Sequence, residues 1–212
     1  MDNHTDSELL VMFRNPETKH YAFNLLVRKY QERLYWQVRK IVISHDDADD
    51  VIQNTFLKVW GGLENFREDS QLFTWLYRIA TNEALTFLKK KRTKLLLPIV
   101  DVEQQLARTL EGDPFIDGDS TALKLQKALL KLPEKQRLVF NMKYFEEMKY
   151  EEISEILGTS VGALKASFHH AVKKIEKFLA EYPKVLKEFE NLFQRNRIFM
   201  DRTKNTGAIS AE

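Results

Sequence analysis

The clearest structural signal in this 212-residue chain lies at residues 150–178, which read YEEISEILGTSVGALKASFHHAVKKIEKF. Apolar residues recur at helical spacing up to Leu157, and Gly158 then ends the helix, because glycine readily adopts the left-handed conformation found after a helix. Thr159 and Ser160 are both good N-cap residues for a second helix. A short helix, a turn of about three residues and a longer helix predict a helix-turn-helix. The apolar stripe of the longer helix consists of Val161, Leu164, Phe168, Ala171, Val172, Ile175 and Phe178.

The opposite face of this longer helix is basic. Between Ser160 and Lys177 the only acid is Glu176, and the first turns offer small side chains that let a helix enter a major groove closely. Lysines further along would meet backbone phosphates. The alternative is a solvated cationic face on a packed helix. The candidate duplex-DNA residues are Ser160, Val161, Gly162, Ala163, Lys165, Ala166, Ser167, His169, His170, Lys173 and Lys174.

Upstream of this unit the composition changes. Residues 98–120 hold six acids against the single base Arg108, together with Pro98, Pro114 and two glycines. Helix breakers and turn formers at this density predict a linker. We therefore expect an N-terminal domain at 1–95, an acidic linker at 96–120, a C-terminal domain at 121–180, and an extra helix with a polar tail at 181–212.

The N-terminal domain is helical by its periodicity. Apolar side chains recur at three and four residues, for example at Phe23, Leu26, Tyr30 and Leu34. This pattern predicts helices near 6–14, 17–43, 47–62 and 70–92. With 7 Gly and 5 Pro in the whole chain, little material remains for hairpin turns. The expected fold class is all-α, with two small helical domains, an N-terminal helical bundle and a C-terminal helix-turn-helix domain, joined by the acidic linker.

Composition excludes several kinds of chemistry. The chain has no cysteine, which rules out disulfides and thiolate zinc sites and fits a reducing compartment such as the cytosol. His169 and His170 are adjacent, so they point to different sides of a helix and cannot chelate a metal together. No Gly-rich phosphate loop is present, and no stretch reaches the ~18 apolar residues of a membrane helix. We expect no enzyme activity, no cofactor or metal, no membrane insertion and a cytoplasmic location.

Motifs in both halves resemble one family. The C-terminal half resembles, in LPEKQR at 132–137 and YEEISEILGTSVGALK at 150–165, the C-terminal domain of bacterial sigma factors of the extracytoplasmic-function (ECF) group of the sigma-70 family. The N-terminal half resembles the family's polymerase-binding helix in DDVIQNTFLKVW at 49–60. It also resembles the minus-ten promoter segment in FR at 66–67, in TWLYRIA at 74–80 and at Asn82.

The chain departs from this family at a few positions. Phe73 stands where an arginine is frequent, so we expect the minus-ten segment to lack the DNA contact that this arginine would make. The longer helix of the helix-turn-helix has Ser167, His170 and Val172 where the family often has arginines. We therefore expect its phosphate affinity and the promoter sequence it reads to differ.

The resemblance implies that the helix at 47–62 grips a coiled coil of the largest subunit of core RNA polymerase. The acids at 46–50 have a simpler explanation, since carboxylates are favourable at a helix N-terminus. That explanation does not cover the amide and aromatic groups further along. For Trp60 alone, a place in the domain core is favoured. The candidate polymerase-binding residues are Asp49, Asp50, Gln53, Asn54, Leu57, Lys58 and Trp60.

The segment from Glu64 to Lys94 is predicted to be a loop and a helix with a polar row and a basic end. Such a row suits single-stranded DNA, because cations follow the backbone and unstacked bases meet asparagine edges and aromatic faces. The resemblance implies that the family melts the minus-ten element and captures a flipped base in a pocket formed largely by residues 65–72. Trp75 and Tyr77 are by default core residues. The candidate minus-ten residues are Asn65, Phe66, Arg67, Trp75, Arg78, Asn82 and Lys89.

Together these features predict an alternative sigma factor. It would bind core RNA polymerase, read promoter DNA as a duplex at the minus-thirty-five element and as a single strand at the minus-ten element, and start melting. A stand-alone helix-turn-helix regulator and a structural helical adaptor are the competing hypotheses. Residues 181–212 would be either a helix packed on the C-terminal domain, which is favoured, or a docking surface for a regulator such as an anti-sigma factor.

Overall fold

The computed structural model describes residues 4–95 and 121–191. The predicted linker at 96–120 and the predicted polar tail beyond 191 lie outside these residues. Throughout the described part of the chain the regular elements are helices, which confirms the all-α fold class.

The helices follow the sequence pattern closely. Each helix in residues 4–95 begins and ends within three residues of its predicted bounds, and a 3₁₀ turn (Leu63–Asn65) follows the third. A single π-helical turn (Asn141–Phe145) continues the sixth helix. In chain order the helices are α1 (Asp6–Arg14), α2 (Lys19–Val42), α3 (His45–Gly62), α4 (Leu72–Leu95), α5 (Thr121–Leu130), α6 (Glu134–Phe140), α7 (Tyr150–Leu157), α8 (Val161–Leu179) and α9 (183–191).

By its internal contacts the chain divides into two compact units. The described residues of the first unit are 4–95 and 149–161, which hold α1 to α4 and α7. Those of the second unit are 121–148 and 162–191, which hold α5, α6, α9 and α8 from Gly162 onward. The domain limits predicted from the sequence stay a prediction, because the proposed linker lies outside the described residues.

The core of the first unit lies where α2, α3 and α4 face one another. Within this apolar layer, the buried Tyr77 hydroxyl of α4 donates a hydrogen bond to Gln37 Oε1 of α2 at 2.7 Å. A buried polar group that has a partner avoids the cost of desolvation without a hydrogen bond. The apolar side chains of this layer include Leu26, Leu34, Val38, Val51, Val59, Leu76, Ala80 and Ala84.

The joint between α2 and α3 is short and strained. Only Ile43 and Ser44 separate the two helices, and Ile43 has a left-handed φ of 68°, which is unfavourable for a β-branched residue by about 1–3 kcal/mol. Burial of the Ile43 side chain offsets this strain. Ser44 Oγ accepts a hydrogen bond from the Asp47 amide at 3.4 Å and so caps α3. The joint therefore fixes the start of α3 beside the end of α2.

Two ion pairs join α3 to α4. Near the start of α3, Lys91 Nζ of α4 donates to Asp47 Oδ2 at 2.5 Å. Near the end of α3, Lys58 pairs with Glu83 of α4. Partly exposed ion pairs contribute little stability individually, but these two flank the apolar contact between the helices and favour a single register.

Aromatic rings dominate the core of the second unit. Phe140 is fully buried, and its ring centroid lies 5.0 Å from that of Tyr144, 5.7 Å from that of Phe168 and 6.3 Å from that of Phe189. Phe189 belongs to α9, which also buries Val185 in this cluster. The residues at 183–191 thus form a helix packed on the second unit, the favoured interpretation of this segment.

The turn between α7 and α8 offers a direct test of backbone strain. Gly158 has a left-handed φ of 61°, and a methyl group on its Cα would meet no atom within 4 Å. We therefore expect Gly158→Ala to lower the free energy of unfolding by about 1–2 kcal/mol in urea denaturation of the full chain. Gly162→Ala is the matched control, since open space also surrounds this helical glycine, and it should leave the value unchanged or raise it by up to about 1 kcal/mol, because alanine favours a helix more than glycine does. Equal losses in both variants would contradict the prediction.

Candidate functional site

α3 buries one side and exposes the other along its length. Ala48, Val51, Thr55 and Val59 face the core of the first unit. The exposed side is acidic at its start and carries amide and apolar groups further on, with Leu57 70% exposed. Six of the seven candidate polymerase-binding residues lie on this exposed side, namely Asp49, Asp50, Gln53, Asn54, Leu57 and Lys58.

Trp60, the seventh candidate, turns towards the protein. Its ring centroid lies 5.3 Å from that of Phe13 and 4.9 Å from that of Phe23, both with edge-to-face geometry. The Lys19 ammonium lies 5.1 Å from the same indole ring. This half-buried indole therefore closes an aromatic cluster between α1, α2 and α3, at the edge of the core.

The acids at the start of α3 have different surroundings. Asp47 is half-buried and bound by Lys91, and its position in the first turn complements the positive end of the helix dipole. Asp46, Asp49 and Asp50 are exposed. Helix capping therefore accounts for Asp47, and the other three carboxylates present negative charge to solvent.

Of the candidate minus-ten residues in the loop after α3, one lies in the core and two lie at the surface. Phe66 is buried, with its ring 5.1 Å from the half-buried Trp75 of α4. A methyl group on Gly62 would lie only 3.2 Å from the Trp75 indole, so this contact is tight. Asn65 and Arg67, on either side of Phe66, are exposed. Phe66 and Trp75 thus hold the loop against α4 and leave its polar neighbours at the surface.

The polar row of α4 reaches the surface from the third turn of the helix onward. Asn82, Thr86 and Lys89 are exposed at helical spacing, and the half-buried Arg78 begins the row. Arg78 Nε is buried without a hydrogen-bond partner among the described residues. A buried guanidinium nitrogen of this kind is costly unless a partner satisfies it.

Phe73, which stands where the family often has an arginine, is packed within the first unit. The Arg33 guanidinium lies 3.9 Å from its ring centroid, and the Tyr30 ring is stacked on it at 6.1 Å. The sequence gives no sign of this arrangement, because Arg33 is 40 positions away. Phe73 therefore packs inside the first unit, with the Arg33 guanidinium of α2 against its ring.

An open cavity of about 550 Å³ lies beside the loop. Residues 66 and 68–72 form its wall, together with the start of α1 and Glu155 of α7. Four carboxylates line it, and carboxylates accept hydrogen bonds from the amino groups of bases but repel phosphates. These are Asp6, Glu68, Asp69 and Glu155.

Contacts fix two of these carboxylates. Asp6 Oδ1 accepts hydrogen bonds from the Tyr30 hydroxyl at 2.6 Å and from Lys29 Nζ at 2.8 Å. Burial, together with the hydrogen bond to Asp6, raises the pKa of Tyr30 above its ordinary value. Arg14 Nη2 of α1 lies 2.8 Å from Glu68 Oε1 and 3.4 Å from the carbonyl oxygen of Phe66. Sequence reasoning missed Arg14, because nothing local relates it to a loop 52 residues away.

α8 leaves the candidate duplex-DNA residues at the surface. Val161 and Ser167 are half-buried, and the other nine are exposed. Lys174 Nζ donates a hydrogen bond to Gln136 Oε1 of α6 at 3.1 Å, so this lysine is engaged within the second unit. Val172 is buried, and this departure from the family therefore faces the core. The exposed candidates are Ser160, Gly162, Ala163, Lys165, Ala166, His169, His170, Lys173 and Lys174.

Residues 4–95 and 121–191 contain neither a cluster of metal ligands nor a helix suited to a membrane. No three histidine, aspartate or glutamate side chains in these ranges come together as a metal site requires. No described helix is both long and apolar enough to span a bilayer.

Family models match both halves of the chain. The model for sigma-70 region 2 matches residues 26–94, and the model for sigma-70 region 4 matches residues 122–175. The RNA polymerase sigma-H factor of Pseudomonas aeruginosa is 32% identical over 168 residues, which cover 74% of this chain and 86% of that protein. The ECF RNA polymerase sigma-E factor of Haemophilus influenzae is 30% identical over 182 residues, which cover 81% of this chain and 94% of that protein.

Two solved structures are similar to this chain in fold. CnrH in complex with the cytosolic domain of CnrY matches with a TM-score of 0.60 at 25% identity, covering 82% of this chain and 96% of that one. The sigma factor RpoE in complex with the anti-sigma factor NepR from Bartonella quintana has a TM-score of 0.57 at 21% identity, covering 74% of this chain and 96% of that one. This second likeness concerns the fold alone.

Proposed function

The chain belongs to the ECF group of sigma-70 family RNA polymerase sigma factors, and we propose that different exposed surfaces of it carry out different steps of promoter recognition. The protein is a sigma factor, which binds core RNA polymerase and recognises promoter DNA. The observation that carries this function is that models for regions 2 and 4 match the two halves in the family order. A stand-alone helix-turn-helix regulator is not favoured, because it has no use for a region 2.

The exposed side of α3 is assigned to core RNA polymerase. Its carboxylates Asp49 and Asp50 would meet basic residues, and Leu57 would supply apolar contact at the centre of the surface. Gln53 and Asn54 add hydrogen-bonding groups between these. Trp60 supports this surface from within, through its contacts with Phe13 and Phe23.

The loop after α3 and the polar row of α4 are assigned to the minus-ten element. Asn82 and Lys89 are exposed where a single strand could follow the helix. The unpartnered Nε of Arg78 supports the same assignment, since a phosphate or base acceptor would satisfy it. The cavity beside Asn65 and Arg67 has room for a flipped base, and its carboxylates favour one with an exocyclic amino group.

α8 is assigned to the minus-thirty-five element as a duplex. Its first turns carry Gly162, Ala163 and Ala166, which allow a close approach to base edges in a major groove. Lys173 lies further along, where a helix leaves the groove and meets phosphates.

Catalysis and location follow from this role. Sigma factors are DNA-binding initiation factors, and we propose that this chain performs no chemical step itself and leaves RNA synthesis to the polymerase. We propose that it acts in the cytoplasm, where bacterial RNA polymerase works. We also propose that an anti-sigma factor regulates it, since CnrH, which is similar over 82% of this chain, was solved in complex with the cytosolic domain of CnrY.

The function is tested by reconstitution. The purified chain is mixed with core RNA polymerase and fragmented bacterial DNA, and the RNA products are sequenced. We expect transcripts that start downstream of a shared pair of sequence elements and that are absent without the chain. Specific duplex binding by the chain alone, without any stimulation of core polymerase, would favour the stand-alone regulator instead.

Base recognition and phosphate binding by α8 should depend on different residues. Lys165 lies near the groove-entering end, so Lys165→Ala should change the preferred base at one position of the minus-thirty-five element, by about 1–3 kcal/mol of discrimination. Lys173→Ala should weaken binding to all sequences alike and reduce the salt slope by about one unit. The measurement is transcription by the holoenzyme on a randomised promoter library at two salt concentrations. The reverse pattern would mean that α8 docks in the opposite direction.

A further inference from the structure

The loop after α3 is tied at two points to the corner between α1 and α2. At the start of the loop, Lys19 in the first turn of α2 pairs with Glu64. Further along, Arg14 Nη2 at the end of α1 donates hydrogen bonds to Glu68 Oε1 at 2.8 Å and to the carbonyl oxygen of Phe66 at 3.4 Å. Two cations that lie close together in the chain therefore hold both ends of this short segment.

The corner that carries these two cations is itself fixed. The Thr18 hydroxyl donates a hydrogen bond to the carbonyl oxygen of Met12 at 2.7 Å, and the Thr18 amide donates to that of Asn15 at 3.1 Å. The neighbouring Phe13 is buried and packs edge-to-face on Trp60. Because the support is rigid, the two ties restrict the conformation of the loop rather than moving with it.

The loop depends on such support, because part of it has an unfavourable backbone conformation. Glu68 has a left-handed φ of 60°, which residues other than glycine rarely adopt. Such conformations persist only where the surrounding structure holds them, and they are concentrated at functional sites. Arg14 bonds directly to the side chain of Glu68. We therefore expect the loop to lose this conformation when the bond is removed.

The ties flank the two exposed candidate residues of the loop. Asn65 and Arg67 each lie between two held positions, since residues 64 and 68 are tied by the cations. Between them the buried Phe66 packs on Trp75. The two polar side chains are thus exposed on a fixed backbone. Preorganised groups bind more tightly, because less ordering accompanies association.

The same ties reduce the negative charge beside the loop. Glu68 is one of four carboxylates that line the cavity there, and Arg14 pairs with it. Asp6, on the other wall, is paired with Lys29 at 2.8 Å. An opposite charge at this distance weakens the repulsion between a carboxylate and a DNA phosphate. The cavity can therefore lie beside a nucleic-acid strand without repelling it strongly.

We propose that Arg14 and Lys19 are positioning residues for minus-ten recognition, which act by holding Asn65 and Arg67 in place for the melted strand. The proposal rests on the assignment of this loop to the minus-ten element. Both cations precede residue 26, where the match to the region 2 model begins. The corner between α1 and α2 therefore adds to minus-ten recognition a part of the chain that lies outside the matched region.

The test follows promoter opening by holoenzymes that contain variants of the full chain. The promoter is one that the parent chain selects in the reconstitution, and 2-aminopurine in its minus-ten element reports the opening. Arg14→Ala should slow opening about fivefold, because the loop must then be ordered as the strand binds. Arg14→Lys should keep most of the rate, since an ammonium can still pair with Glu68. Arg28→Ala is the matched control, because it removes an exposed arginine elsewhere on the first unit, and it should leave the rate unchanged.

The second tie is tested through its acid. Glu64→Ala removes the ion pair with Lys19 and leaves the Lys19 ammonium against the Trp60 ring, 5.1 Å from its centroid. It should slow opening about threefold by the same loss of order in the loop. A rate equal to that of Arg28→Ala would remove Lys19 from the proposal.

Two further measurements distinguish positioning from a general loss of structure. The thermal midpoint and the polymerase affinity of Arg14→Ala should match those of the parent chain, because a partly exposed ion pair contributes little stability. On a library randomised across both promoter elements, this variant should discriminate less between bases at the minus-ten element and as well as the parent at the minus-thirty-five element. If it melts early, binds polymerase weakly and keeps the parent's base preference, its role is structural and the proposal is overturned.

A double-mutant cycle tests whether Arg14 acts through Arg67. Arg67→Ala should slow opening in the parent chain and have much less effect in an Arg14→Ala background, where Arg67 is no longer held in place. Fully additive effects would overturn the positioning role.

The outcomes separate this proposal from the proposed function. If Asn65→Ala with Arg67→Ala slows opening while Arg14→Ala behaves like Arg28→Ala, the positioning role is wrong and the assignment of the loop stands. If none of these variants slows opening, the assignment of the loop fails and the proposal fails with it. Transcription by the parent chain with core polymerase still tests the proposed function in both cases.

Discussion

Phe189→Ala should destabilise the second unit by about 3–5 kcal/mol, the loss typical of removing a buried aromatic ring. Phe189 is 2% exposed, and its ring lies 6.3 Å from that of Phe140 and 6.0 Å from that of Tyr144. The family model for region 4 ends at residue 175, so neither its limits nor the motifs mark this residue as essential. The prediction is that α9 is part of the fold that presents α8 to DNA.

The measurement is urea denaturation of the full chain followed by circular dichroism, with binding to minus-thirty-five duplexes in parallel. Lys187→Ala is the matched control, because it removes an exposed side chain from the same helix. It should change the free energy of unfolding by less than about 0.5 kcal/mol. If Phe189→Ala is as stable as this control, the packing of α9 contributes little to the stability of the second unit.

The combined change Asp50→Ala and Gln53→Ala should weaken binding to core RNA polymerase roughly thirtyfold or more, the effect expected for loss of central interface residues. Both side chains are exposed, so the free energy of unfolding should change by less than about 0.5 kcal/mol. Trp60→Ala should behave in the opposite way, with a loss of about 2–4 kcal/mol of stability, because the indole closes a cluster with Phe13 and Phe23.

A pull-down titration with core polymerase and a thermal melt of each variant distinguish residues that contact polymerase from residues that stabilise the first unit. The matched control is Glu17→Ala with Asn24→Ala, which removes one exposed acid and one exposed amide elsewhere on the first unit. It should leave both readouts unchanged. If the control and the Asp50→Ala, Gln53→Ala variant bind polymerase with equal affinity, the exposed side of α3 is not part of the interface.

Periodicity predicts which side of a helix faces inward, and it does so well in this chain. The stripe through Leu34 and Val38 is buried, and Gly158 ends α7 with the expected left-handed backbone. Most residues assigned to DNA or polymerase are accordingly exposed. The same reasoning favoured the core for Trp60 and Tyr77, and the structure places Tyr77 in the core and Trp60 at its edge.

Contacts between distant segments were beyond reach of such reasoning. The pairing of Arg14 with Glu68 and the packing of Arg33 on Phe73 each join different elements, and a helical period says nothing about which partner a side chain meets. Phe66 shows the same limit, because a loop has no period from which its burial can be read.

The two ion pairs between α3 and α4 have a consequence for where transcription begins. On the proposed assignment, polymerase holds α3 while α4 lies along the melted strand, and Asp47 with Lys91 and Lys58 with Glu83 tie one helix to the other. The two ion pairs then help to fix the distance between the polymerase and the melted strand. A slip of one helical turn would shift α4 by about 5.4 Å relative to α3, and with it the surface assigned to the melted strand. On this assignment, the packing of α3 against α4 helps to set the position on the promoter at which the strands are held open.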